Sequence, residues 1–157
     1  MKKDQDYLKL MKKFYIDDIE VNEFKKAFDV TKQKHMRSYV NQKYVSIGQK
    51  ALHLLYADLY FWDDLNQIFE LLDSHQIMME ISETFELNKY VYSQDKDEPV
   101  IGFIIRSTLF YAISGIVFLH KGYMYLKKWY QKFVYSYETN MELIEKKVGI
   151  IWENSWI

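Results

Sequence analysis

The four histidines, His35, His53, His75 and His120, are the first side chains to weigh for chemistry. No two stand three or four residues apart, so no helix presents two imidazoles to one metal ion. His53 with Asp58, and His75 with Glu80, are five apart, which turns the partners to different faces of a helix. Glu80, Glu83 and Glu86 recur every third residue and would form a drifting acidic stripe, with nothing beside them to mark a pocket. There is no nucleophile elbow, phosphate-binding loop or Gly-rich dinucleotide turn. The chain has no cysteine, which removes disulfides and thiolate ligands. On these grounds the chain is expected not to be an enzyme and to hold no cofactor or metal.

Charge is distributed unevenly. The net charge of −1 over 157 residues conceals segments of +5 (1–50), −9 (51–98) and +3 (99–157). The acidic middle segment would repel phosphate, which argues against direct contact with nucleic acid and for a basic protein partner. The bland alternative is that these acids are the solvated faces of two helices.

The elements that must carry these residues read as helices. One proline, five glycines and many Leu, Lys, Glu and Tyr favour long helices over a many-turned β fold. Tyr7, Leu8, Met11, Phe14 and Tyr15 have helical spacing over 4–15, with Lys9, Lys12 and Lys13 on the other side. A second helix starts near Glu20 or Asn22 and carries Val21, Phe24 and Phe28. Residues 38–43 read as a connection. From Tyr44 an apolar stripe runs through Val45, Leu52, Leu55, Leu59, Trp62, Leu65, Phe69 and Leu72, with a break or kink expected at Asp63-Asp64. A short helix is expected over 76–85, then a loop with an extended piece at 89–92. After Gly122, Leu126, Tyr130, Phe133, Tyr137, Met141, Ile144, Val148 and Ile151 step at helical intervals.

Between these patterns lies Val100–Leu119, twenty residues with one charge, Arg106. That length matches a membrane span, for which about 20 apolar residues suffice. Asp97-Glu98-Pro99 suits a helix start, and Lys121 and Gly122 suit its end. By the positive-inside rule the lysines after the stretch would keep the C-terminus in the cytoplasm, so residues 1–99 would have to cross the bilayer without a signal peptide, and the opposite orientation conflicts with the local charge bias. The reading favoured is the buried central helix of a bundle. A membrane anchor is the alternative. Arg106 then needs a partner, and an acid from 51–98 is the obvious candidate.

Phe14, Ile19, Glu23 and Phe24, within KKFYIDDIEVNEFKKAF, give the first hairpin a pattern that resembles the colicin D immunity protein family, also described as bacterial self-protective colicin-like immunity. LLYADLYFWDDL and DKDEPVIGFIIRSTL stand where later helices of that family would fall. The resemblance covers at most the first two-thirds of the chain. Glu20 stands where a Ser or Thr cap is usual, and 120–157 has no counterpart in the short members. The resemblance implies a small bacterial helical bundle that binds a toxin nuclease domain and blocks it, as an antitoxin-type inhibitor. An acidic face would suit such a basic partner. The charge pattern nominates Asp58, Asp63, Asp64, Glu70 and Asp73 as partner-binding residues. The expectation is thus one all-α domain over 1–157. It is a compact bundle of five or six helices, with a hydrophobic central helix at about 99–119 and a long amphipathic C-terminal helix. The protein is expected to be cytoplasmic and to bind a basic toxin or nuclease domain, with no direct nucleic acid contact. A membrane protein anchored by 100–119, or a helical enzyme with a site assembled from distant residues, are the alternatives.

Overall fold

The computed structural model describes residues 2–16, 18–34, 38–59 and 75–136. The architecture is all-α. Helix α1 (Asp4–Lys13) and the short α2 (Val21–Lys25), extended by a 3-10 turn (Lys26–Phe28), form the first hairpin. Helix α3 is Gln42–Leu59, α4 is His75–Thr84, and a 3-10 turn follows at Leu87–Tyr90. Helix α5, Phe103–Ser136, is broken at Gly122 into two arms. The expected kink at Asp63-Asp64, the continuation of the α3 stripe and everything after Ser136 lie outside the described residues.

Local chemistry explains the helix ends. At the start of α1 the Asp6 carboxylate accepts the Lys3 backbone N–H at 3.1 Å, the return arm of a capping box. Its C-terminus closes with the Ile16 N–H on Met11 O (2.9 Å) and the Tyr15 N–H on Lys12 O (3.1 Å). This double closure normally places glycine at the left-handed position, which here is Tyr15 at φ 57°. Asn41 begins α3: its carbonyl accepts the N–H of Tyr44 (3.0 Å) and Val45 (3.1 Å), and its Nδ2 donates to Ala27 O at 3.1 Å.

The apolar stretch occupies the centre, as its composition implies. Leu109 to Val117 is buried without interruption. Helix α5 is long and apolar enough to cross a membrane, yet 61% of its apolar window is buried within the protein. The expected start at Asp97-Glu98-Pro99 is displaced, however. The first helical bond runs from the Arg106 N–H to Gly102 O, and Val100 and Ile104 are 88% and 73% exposed. Residues 93–99 are instead drawn across to the α2–α3 connection, where Asp95 Oδ2 accepts the Lys32 N–H at 3.0 Å and Thr31 Oγ1 accepts the Gln94 N–H at 2.9 Å.

Helix α3 meets the first arm of α5 at a crossing made by two glycines. A Cβ on Gly48 would collide with the backbone carbonyl of Tyr111, and one on Gly115 with that of Tyr44. Only residues without side chains allow this backbone-on-backbone approach. The second arm then packs through rings against Phe14 of the hairpin, Phe110 of the first arm and Tyr56 of α3. Phe14 stacks on Phe133 (5.1 Å, 9°), Phe110 on Trp129 (5.8 Å, 24°), and Tyr56 meets Tyr130 edge-on (5.7 Å). Trp129 Nε1 donates to Phe14 O.

Candidate functional site

A concavity of about 440 Å³ lies between the α2–α3 connection and the 93–100 segment, lined by Val30, Lys32, Tyr39, Ser93, Asp95, Asp97, Glu98 and Ile105, among others. Its acids are not arranged as a reactive pair. Asp95 is engaged by the Lys32 N–H and by Ser93 Oγ at 3.0 Å, and those bonds hold its carboxyl below the usual range. On the same segment, burial and Asp29 push the Tyr92 hydroxyl up to about 12, so it stays protonated at neutral pH.

Several other described carboxylates form ion pairs, some of them between elements. Asp4 pairs with Lys25 at 3.0 Å, and Glu86 with Lys89 at 2.6 Å. Glu23 is held by Lys26 Nζ at 2.8 Å and lies 3.3 Å from His120 Nε2, joining α2 to the first arm of α5. The Lys26 hydrogen bond is the main reason its carboxyl titrates below the usual range. The Arg106 guanidinium finds an acid from the expected segment, Glu83 on α4, at 3.8 Å.

Asp58 is exposed at the end of α3, as an acidic contact residue would be, but it is occupied. Its Oδ2 accepts from the Tyr123 hydroxyl at 2.6 Å and from Lys127 Nζ at 2.9 Å. Both bonds lower its pKa, while burial and the carboxylate raise that of Tyr123 to about 12. Asp58 thereby ties α3 to the second arm of α5. Asp63, Asp64, Glu70 and Asp73 lie outside the described residues. His75 contacts Ser107 Oγ at 3.2 Å and the Phe103 ring, and His35 lies outside the described residues.

No family model and no curated protein matches this chain. Its fold, however, is that of a nuclease domain of the ribonuclease III type. The chain is similar to the nuclease domain of ribonuclease III from Campylobacter jejuni, with a TM-score of 0.65 at 17% identity, over 81% of this chain and 92% of that one.

That likeness corrects several expectations. The resemblance to colicin immunity proteins falls, and with it the antitoxin function, the toxin-inhibitor role and the expectation that the chain is not an enzyme. The physical reason is visible in the motif residues. Phe14, Ile19 and Phe24 are buried core, and Glu23 is a salt-bridge partner of Lys26 and His120. Any helical hairpin that packs its apolar side would show that spacing. The helical-enzyme alternative fits the fold better.

Nucleases commonly hold paired divalent cations between clustered carboxylates. Among the described residues no three His, Asp or Glu side chains converge to hold such an ion. The carboxylates are instead dispersed into the pairs above. The described residues therefore do not fit a metal pair.

Proposed function

We propose that this chain is an RNase III-like protein that acts on RNA. The observation that carries the reading is the fold: the chain reproduces 92% of a ribonuclease III nuclease domain at a TM-score of 0.65. The −9 charge of residues 51–98 would repel phosphate only where its acids are unpaired. Two of those acids, Asp58 and Glu83, are paired with cations from outside the segment, Lys127 and Arg106. The reading keeps a cytoplasmic location as part of the proposal, to be tested by fractionation.

The test is direct. The full chain is titrated into labelled double-stranded and single-stranded RNA, and binding is followed by fluorescence anisotropy at several salt concentrations. The same mixtures, with and without magnesium or manganese, are resolved on denaturing gels for cleavage. Salt-sensitive binding to either RNA form supports the proposal, and defined cleavage products would establish the activity. Failure to bind either form at low salt, with no cleavage, ends it.

A further inference from the structure

The nuclease-domain fold and the side chains it carries disagree at one point. Metal-assisted cleavage needs clustered carboxylates. Helix α5 contains no Asp or Glu, and the one acid of α3, Asp58, is held by Tyr123 and Lys127. Among the described residues no three metal-binding side chains converge. RNA, however, carries a nucleophile of its own, the 2′-hydroxyl beside each phosphate, which a general base can activate.

Histidine is the side chain suited to that task. Of the three described histidines, His120 has its Nε2 3.3 Å from Glu23, and His53 has its Nε2 buried. His75 differs from both. Its ring is exposed at the first position of α4, and its Nδ1 lies 3.2 Å from Ser107 Oγ on the first arm of α5. The Ser107 hydroxyl is fully buried and donates to Ile104 O at 3.3 Å. With its proton placed there, its oxygen accepts from the imidazole Nδ1–H, which leaves the lone pair on Nε2. No described side chain takes that nitrogen. The Phe103 ring lies 5.4 Å from the imidazole, and both it and its neighbour Ile104 are more than half exposed. An exposed aromatic and apolar surface of this kind suits the face of an unpaired base.

We infer that His75 is the general base of a metal-independent RNA cleavage, with Ser107 as its positioning residue and Phe103 as the support for the adjoining base. Nε2 takes the proton of a 2′-hydroxyl as O2′ bonds to the adjacent phosphorus. The P–O5′ bond breaks, O5′ takes a proton from water, and the imidazolium returns its proton to solvent. The products are a 2′,3′-cyclic phosphate and a 5′-hydroxyl. This inference rests on the proposed action on RNA and adds the class of reaction and the residue that performs it.

The experiment incubates the full chain with single-stranded RNA in EDTA and reads the product ends by mass spectrometry. Wild type is expected to cleave, to leave cyclic phosphate ends and to spare a strand with 2′-deoxyribose at the cleaved position. His75→Asn is expected to lower kcat about a hundredfold or more with an unchanged urea midpoint. Ser107→Ala should lower kcat about tenfold at unchanged KM, and Phe103→Ala should raise KM about tenfold. The product ends and the deoxy strand test wild type alone, so they decide the matter even where a variant misfolds. Cleavage that EDTA abolishes, 5′-phosphate ends, cleavage of the deoxy strand, RNA bound but not cut, or a folded His75→Asn protein as active as wild type each overturns the inference while leaving action on RNA standing. Absence of RNA binding by wild type would instead remove the reading beneath it.

Discussion

The two places where α5 needs glycine have opposite reasons. At the crossing with α3, Gly48 and Gly115 have ordinary helical backbones, and what they lack is room: any Cβ meets a carbonyl of the facing helix. At the break between the arms, Gly122 has open space around it but a backbone at φ 80°, ψ 178°, a region essentially reserved for glycine. The first is a requirement of packing and the second a requirement of conformation. The first sets how closely the central helices approach, and the second sets where the second arm goes.

Substitutions separate the two. Gly48→Ala and Gly115→Ala should have the largest effect, a loss of about 3 kcal/mol or more, or failure to fold, read by urea denaturation. Because the collision is with the Tyr111 backbone, adding Tyr111→Ala should not rescue Gly48→Ala; rescue would show that the packing requirement lies in side chains. Gly122→Ala should cost less, about 1–3 kcal/mol, since only one residue is strained. If it cost as much as Gly48→Ala, the break itself would be holding the core together. Asn41→Ala should fall in a similar range, about 1–3 kcal/mol, because it strands the buried carbonyl of Ala27.

Acid should have a smaller and graded effect. The carboxyls of Glu23, Asp58 and Asp95 all titrate below their ordinary values in the folded protein. A depressed folded pKa gives stability that is present above the unfolded value, about 4, and is lost as pH falls through the folded value. The melting temperature should therefore decline from about pH 5 towards pH 3. Asp58→Asn should shift the neutral-pH midpoint least of all these changes and should flatten that decline. An unaltered acid profile in this variant would mean that the link from α3 to the second arm is not made in solution.

The sequence carried the bundle well because burial follows periodicity. Val45, Leu52 and Leu55 on α3, and Leu126, Tyr130 and Phe133 after Gly122, are buried where their spacing placed them. Gly122 was readable as a helix end because it interrupts a pattern. Gly48 and Gly115 were not, since they sit silently inside helices and matter only through a partner 67 residues away along the chain. Trp129 escaped the stepped stripe, yet it is buried and bonded to the hairpin. The start of α5 was misplaced because Asp97-Glu98-Pro99 makes a sound local cap, while long-range bonds to Lys32 and Thr31 claim that segment first. The candidate site was the least legible part. Summed charge cannot reveal that Asp58 is neutralised by Lys127 across 69 residues. The nuclease-domain likeness lives in the arrangement of helices, where 17% identity leaves little trace in the residues.

The bond from Trp129 to Phe14 O joins residues 115 apart. During synthesis at about 5–20 residues per second, α1 leaves the ribosome on the order of ten seconds before the arm that covers it. For that interval Phe14 has no second arm to cover it. Helix α1 is therefore finished late, and the nascent chain must be shielded or kept apart from its neighbours until α5 emerges. Protease sensitivity of α1 in arrested nascent chains should persist until the second arm has cleared the exit tunnel.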